Sequence, residues 1–216
     1  MQLADAREQM IEQQVRAWDV LDERVLEVLR QVPRELFTPA EQRYAAYADA
    51  EVPLAQGQHM LRPSVVGRLL QALLPASAEQ VLEIGAGSGF VSACLRAMAS
   101  RVTSLELYPE LAEAARRNLA LLGMRDVAVV DADALAGTRG ERYDVIAMTA
   151  SLPLYDERFE QMLNIGGRLF VTVGMAPVMD ARLVRRTAED SFVVQSLFET
   201  VIDPLVHAAR PPVFTF

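Results

Sequence analysis

Gly85, Gly87 and Gly89 take alternate positions in Val81-Leu82-Glu83-Ile84-Gly85-Ala86-Gly87-Ser88-Gly89-Phe90, a strand-like apolar run that ends in glycines. Glycine tolerates a sharp bend and lets backbone approach a ligand where a Cβ would intrude. A helix opening near Gly89 adds unpaired N–H groups on the same side. Such a loop can cradle the polar groups of a nucleotide cofactor. The dinucleotide fingerprint G-x-G-x-x-G needs a sixth-position glycine, and Phe90 stands there instead.

A carboxylate follows at the spacing this chemistry needs. Residues 100–105 alternate as a short strand and end in Glu106-Leu107, before Tyr108-Pro109 opens a helix with proline in its first turn. Glu106 can accept two hydrogen bonds from the vicinal hydroxyls of a ribose. The competing reading is that it caps or solvates the helix start. Open parallel sheets bind ligands beyond the carboxyl ends of their strands, which nominates two further strand ends, Asp131-Ala132-Asp133-Ala134 and Thr149-Ala150-Ser151. Asp131 and Asp133 share one side of an extended segment, but two carboxylates without a nearby histidine make a poor metal site, and no metal is expected.

These groups need a scaffold, and the chain spells one out. In residues 3–18, Met10, Ile11, Val15 and Trp18 form one helical stripe, and Asp22 caps a second helix carrying Val25, Leu26, Val28 and Leu29. Pro33 ends that helix. Residues 34–62 are broken by Pro39, Pro53 and Gly57, yet Phe37, Tyr44, Tyr47 and Leu54 argue for an ordered, substrate-side wall. Pro63 opens an apolar helix through Leu74, after which strands near Val81, Val102, Val127, 143–149 and 168–173 alternate with helices over 90–98, 109–122 and 157–163. Alternation at this spacing implies a parallel sheet covered on both faces. Residues 182–187 and 192–200 read as a closing antiparallel hairpin, with Arg182, Arg185 and Arg186 on a solvated edge.

The 216 residues, 51% of them hydrophobic, suit one sizeable core rather than two. A net charge of −8 with no lysine disfavours long-range attraction to nucleic acid or an anionic membrane. No apolar run reaches the length of a membrane span, and Met1-Gln2-Leu3-Ala4-Asp5 lacks a basic region followed by an apolar one, so a cytoplasmic protein is expected. The single cysteine, Cys94, falls on the sheet-facing side of its helix and is read as packing. The ending Arg210-Pro211-Pro212-Val213-Phe214-Thr215-Phe216 is read as a docked tail. Oligomeric state is expected to be a monomer or a weak homo-oligomer.

The glycine loop with Glu83 two residues before Gly85 resembles the first motif of the S-adenosyl-L-methionine (SAM) methyltransferases. More of the chain resembles one family within them, the protein-L-isoaspartate O-methyltransferases. Met10-Ile11-Glu12-Gln13-Gln14, Val32-Pro33-Arg34-Glu35-Leu36-Phe37, Tyr44-Ala45-Ala46-Tyr47-Ala48-Asp49 and Gly57-Gln58-His59-Met60 follow in that family's order. Tyr143-Asp144-Val145-Ile146, Gly166-Gly167-Arg168-Leu169 and Val173-Gly174 do the same downstream. The resemblance implies an α/β fold of the Rossmann-like class I methyltransferase type, with a mostly parallel seven-stranded sheet, an N-terminal helical extension and a C-terminal antiparallel hairpin. It implies a single domain over 1–216, with 1–74 as helices and substrate-side loop and 75–216 as the core.

By the same likeness the cofactor is SAM and the acceptor is the α-carboxylate of isoaspartyl residues in damaged proteins. Cofactor residues would be Glu83, Gly85, Ala86, Gly87, Ser88, Gly89, Glu106, Leu107, Asp133 (to the adenine amino group), Ala134 and Thr149. One departure stands out. Where the family has Thr-Ile-Ser after Gly-Gln, this chain has His59-Met60-Leu61, followed by Arg62. Leu61 offers no hydrogen bond, so His59, Leu61 and Arg62 are the candidate catalytic positions, His59 and Arg62 being able to substitute for the serine. A loop role for His59 and a surface role for Arg62 compete with that. A different acceptor, small molecule or RNA, and a SAM-binding module without catalysis are the alternative functions that Leu61 leaves open. A carboxylate is already a nucleophile at neutral pH, so methyl transfer to it needs orientation rather than a general base.

Overall fold

A computed structural model describes residues 3–136 and 140–212. Val213 to Phe216, the end of the expected docked tail, lie outside the described residues. The first helical stripe begins as α1 (Leu3–Met10), continues as a π-turn over Ile11–Val15 and closes as a 3-10 turn over Arg16–Trp18, where Asp19 turns left-handed. Helix α2 (Glu23–Gln31) is capped by the Asp22 side chain, which accepts the Arg24 N–H at 2.9 Å. Its Val25, Leu26, Val28 and Leu29 are buried.

Residues 34–62 are ordered by polar ties rather than by long elements. They hold 3-10 turns at Arg34–Leu36, Ala40–Ala45 and Ala55–Gly57, and a small ribbon of β1 (Val52–Pro53) against β2 (His59–Met60). Arg7 donates to the Tyr47 hydroxyl at 2.9 Å and to Glu35 at 3.0 Å, while the Tyr47 hydroxyl donates to Glu35. Burial, with the Glu35 carboxylate behind it, pushes the Tyr47 phenol up to about 12, so it remains a donor. Asp49 reaches across to accept the Ser64 N–H at 3.1 Å and its hydroxyl at 2.7 Å, fastening the wall to the start of α3 (Pro63–Leu73). Gly67 of α3 faces Val15, where an added Cβ would stand 2.8 Å from a Val15 methyl.

The main sheet comprises β3 (Gln80–Ile84), β4 (Arg101–Glu106), β5 (Ala128–Asp131), β6 (Tyr143–Leu152), β7 (Leu163–Met175), β8 (Val178–Ala188) and β9 (Ser191–Thr200), in the order β5-β4-β3-β6-β7-β8-β9. Strands β3 to β7 run parallel, and β7, β8 and β9 form an antiparallel meander. Side chains alternate between two cores as a period of two demands. Val81, Val145 and Ala147 face the N-terminal helices, α3, α4 (Phe90–Met98) and α5 (Pro109–Leu121), whereas Leu82, Ile84, Ile146 and Met148 face the other side. That second side is covered by α6 (Arg158–Gln161), whose Phe159 is buried, and by Leu205 and Ala208 of the C-terminal segment. Cys94 packs in the first core, and burial pushes its thiol up.

Two expectations need correction. The helix expected over 157–163 is a single turn, because Leu163 already pairs with Tyr143 in the sheet. The arginines of β8 are not on an edge, since β9 lies outside them. Arg186 is buried with its guanidinium donating to the carbonyls of Leu163 at 2.9 Å and Gln161 at 3.3 Å, and Arg182 pairs with Asp180 at 2.7 Å. Among the described residues no helix is long and apolar enough to cross a membrane.

Candidate functional site

A continuous cleft runs over the carboxyl ends of β3, β4 and β6, and its floor is the glycine loop. Beyond Ile84 the chain leaves the sheet, and the N–H groups of Gly85 and Ala86 both donate to the Leu105 carbonyl, at 2.9 and 3.1 Å. Gly85 has φ +94°, and a Cβ there would stand 2.5 Å from Thr149 Oγ1. That hydroxyl donates back to the loop, 2.6 Å from the Gly85 carbonyl and 2.9 Å from that of Ile84. Thr149 therefore clamps the bend that opens the cleft. Gly89 lines no part of the cleft, and its missing Cβ leaves room for Ala115, which would otherwise be met at 3.2 Å. Ala86 and Ser88 border the cleft, and the Ser88 carbonyl is held by Asn118 at 2.9 Å.

Glu106 sits nearly buried at the cleft's centre. One carboxylate oxygen accepts the Gly87 N–H at 2.8 Å and the other the Tyr108 N–H at 3.0 Å. Each oxygen keeps a lone pair for the cleft, which suits two hydroxyls of a diol. The helix-start reading fits this geometry as well: one carboxylate ties loop, strand end and helix start together. Leu107, Ala132, Asp133 and Ala134 line the cleft on the far side of Glu106, roofed by Pro204 and Leu205. Asp133 accepts the Leu135 N–H at 2.9 Å on one oxygen and faces His207 Nδ1 at 2.9 Å on the other. Asp131 is paired with Arg116.

The opposite end of the cleft holds two buried ionisable groups, Glu83 and Arg34. Glu83 lies beneath the loop, its one oxygen accepting from Ser104 at 2.5 Å and from Ser92, its other without a partner. Burial pushes this carboxyl up to about 8. Arg34 donates to the Leu61 carbonyl at 2.8 Å, while its Nε and Nη1 have no partner. Burial lowers it to about 10, still a cation at neutral pH. Both residues border the same space as Gly85, Gly87 and Ser88. The unpaired Arg34 donors match the carboxylate of an amino-acid moiety, just as Glu106 matches a ribose, and the unpaired Glu83 oxygen is a second polar group beside them. The cleft therefore fits an aminoacyl-nucleoside cofactor such as SAM.

His59, from β2, and Leu61 line the cleft beside Glu51 and Asp203. His59 Nδ1 lies 2.8 Å from Asp203 Oδ2. Leu61 is buried, its backbone held by Arg34. Arg62 lies outside the cleft lining and acts on Glu51 by charge alone. Sequence reasoning missed Arg34, Glu51, Asp203 and His207. The first two carried a signal, being polar residues in a segment already read as the substrate-side wall; the last two lie beyond the final strand, with no pattern to link them to the site.

Sheet order, glycine loop and strand-end carboxylate define a class I SAM-dependent methyltransferase. The sequence profile described as Protein-L-isoaspartate(D-aspartate) O-methyltransferase (PCMT) matches residues 5–210. A Rhodopseudomonas palustris protein-L-isoaspartate O-methyltransferase is 42% identical over 205 residues, 92% of each chain, and one from Methanoculleus marisnigri is 40% identical over 182 residues, 83% of each. In structure, a Plasmodium falciparum chain described as a protein-L-isoaspartate O-methyltransferase, crystallised with S-adenosyl-L-homocysteine, superposes with a TM-score of 0.81 at 17% identity, covering 92% of this chain and 97% of that one. At that identity the likeness speaks for the fold. The chain belongs to the protein-L-isoaspartate O-methyltransferase family, whose members are SAM-dependent enzymes.

Proposed function

We propose that this protein transfers the methyl group of SAM to the α-carboxylate of L-isoaspartyl residues in damaged proteins, the first step of their repair. The observation that carries the reading is the match over residues 5–210 to a family named for that reaction. Bound SAM supplies an electrophilic methyl on a sulfonium. The chain's own residues do the rest: Glu106 holds the ribose, Asp133, Ala134 and Leu107 frame the adenine, and Gly85, Gly87 and Ser88 let backbone meet the ligand. Arg34 and Glu83 face its amino-acid end. The acceptor enters beside Leu61, and the wall formed by residues 34–62 excludes water around it, so that the enzyme acts mainly by alignment.

We take residues 1–216 as one domain acting in the cytoplasm as a monomer or weak homo-oligomer. The net charge of −8 favours protein acceptors over nucleic acid. The test is incubation with methyl-labelled SAM and an isoaspartyl peptide, the matching aspartyl peptide serving as control, followed by counting base-released methanol. Label from the isoaspartyl peptide alone supports the reading. Bound SAM with no release from any isoaspartyl peptide would sink it.

A further inference from the structure

A carboxylate acceptor must be held in line with the transferring methyl, which a hydrogen-bond donor beside it can do, and the position where the resembled family carries serine is Leu61. The cleft beside Leu61 is lined by the carboxylates of Glu51, Glu106 and Asp203. Among the described residues lining the part of the cleft that holds Glu51 and Asp203, His59 is the one side chain able to carry positive charge, while Arg34 borders the adjoining space behind Leu61 and faces the cofactor's amino-acid end. An incoming carboxylate on the Glu51 and Asp203 side therefore meets like charges, and His59 is the group on that side that can offset them.

His59 is built for that part. Its Nδ1 faces Asp203 across 144 residues of sequence, and both side chains remain about a third exposed, at 35% and 34%. Asp203 is aimed by its backbone: Ser151 donates its N–H to the Asp203 carbonyl at 2.8 Å, and Leu205 returns an N–H to the Ser151 carbonyl at 2.7 Å. With Nδ1–H committed to Asp203, Nε2 is the ring atom left for a ligand. The other charges nearby are Glu51, whose carboxyl is raised by burial, and Arg62, which opposes that rise.

We propose that protonated His59, held by Asp203, donates Nε2–H to the acceptor carboxylate and so takes the place of the family's serine hydroxyl. This rests on the isoaspartyl reading above. In the transfer, the carboxylate oxygen forms a bond to the methyl carbon while the carbon–sulfur bond breaks, its electron pair staying on sulfur. No proton moves, and His59 remains protonated throughout. It is a donor and not a base, so activity must fall, rather than rise, as increasing pH removes its proton.

The experiment is the pH profile of kcat/KM on an isoaspartyl peptide at saturating SAM, for the wild type, His59→Gln and Asp203→Ala, with thermal unfolding as the check on folding. The expected wild-type profile falls about tenfold per pH unit above a single break, as one required proton dictates. His59→Gln keeps an N–H donor but loses the break and the charge, giving a low, flat profile. Asp203→Ala frees the ring and lowers kcat/KM while the falling limb remains, and Asp203→Glu restores part of the loss. A wild-type profile that is flat or rises with pH, or His59→Gln indistinguishable from wild type, overturns the inference while leaving isoaspartyl methylation in place. Methylation of no isoaspartyl peptide at any pH would instead remove the underlying reading, and this inference with it.

Discussion

His207 Nδ1 lies 2.9 Å from Asp133 Oδ2, so each of the chain's two histidines ties the C-terminal segment to the cleft, His207 through Asp133 and His59, from β2, through Asp203. The hydrogen bond from His207, with that from the Leu135 N–H, holds the Asp133 carboxyl below the usual carboxylate range. Its contribution to stability is present above the unfolded value of 3.8 and is lost as pH falls through the lower folded value. His207 is well exposed, so His207→Ala should cost about 1 kcal/mol or less in stability. It should also speed cofactor release by loosening the roof formed by Pro204 and Leu205. Stopped-flow dissociation of S-adenosyl-L-homocysteine, set beside thermal unfolding, checks both; an unchanged off-rate would mean that the roof does not depend on this tie.

Gly85→Ala places a methyl 2.5 Å from Thr149 Oγ1 at a backbone φ of +94°. Either the loop or Thr149 must shift. A loss of cofactor affinity of at least about 1–3 kcal/mol is expected by calorimetry, the scale of overpacking at a site with no room. Gly87→Val should abolish binding. Gly89→Ala is expected to act differently, lowering stability through Ala115 more than it weakens affinity.

Glu106→Ala removes the acceptor of the Gly87 and Tyr108 N–H groups, and with it the group proposed to hold the ribose. Cofactor affinity should drop by about 1–3 kcal/mol or more. Glu106→Gln retains one acceptor oxygen and should fall between the two. Calorimetric affinities that match wild type in both variants would place the cofactor elsewhere.

Glu83 makes stability fall as pH rises. With its folded value near 8 and its unfolded value near 4.5, the carboxyl stays protonated in the folded chain while the unfolded chain ionises. Its stabilising balance is fully present below the unfolded value and is lost progressively as pH climbs to about 8. Glu83→Gln is neutral at every pH and should flatten that slope. Thermal unfolding between pH 5 and 9 gives the comparison, and parallel slopes in both proteins would refute the assignment.

Much of this protein could be read one residue at a time. The glycine loop, Glu106 at a strand end, the Asp22 cap and Pro63 at a helix start depend on backbone torsions and near neighbours, which the residues themselves dictate. The alternation of Val81, Leu82, Glu83 and Ile84 likewise decides which side chain meets which core. Where the reading failed, distance was the cause. Helix 157–163 shrank to one turn because Leu163 found a sheet partner in Tyr143. Arg186 lost its solvated edge to the strand beside it.

The glycine loop and the strand-end carboxylates of the cleft were thus written in contiguous sequence, whereas the long-range pairs that complete it were not. Arg34 behind Leu61, Asp203 against His59 and His207 against Asp133 join residues 27, 144 and 74 positions apart. No local torsion or period encodes such a pair. It exists because the sheet order and the return of the chain after β9 bring those side chains to one place, where desolvation and charge then select their partners.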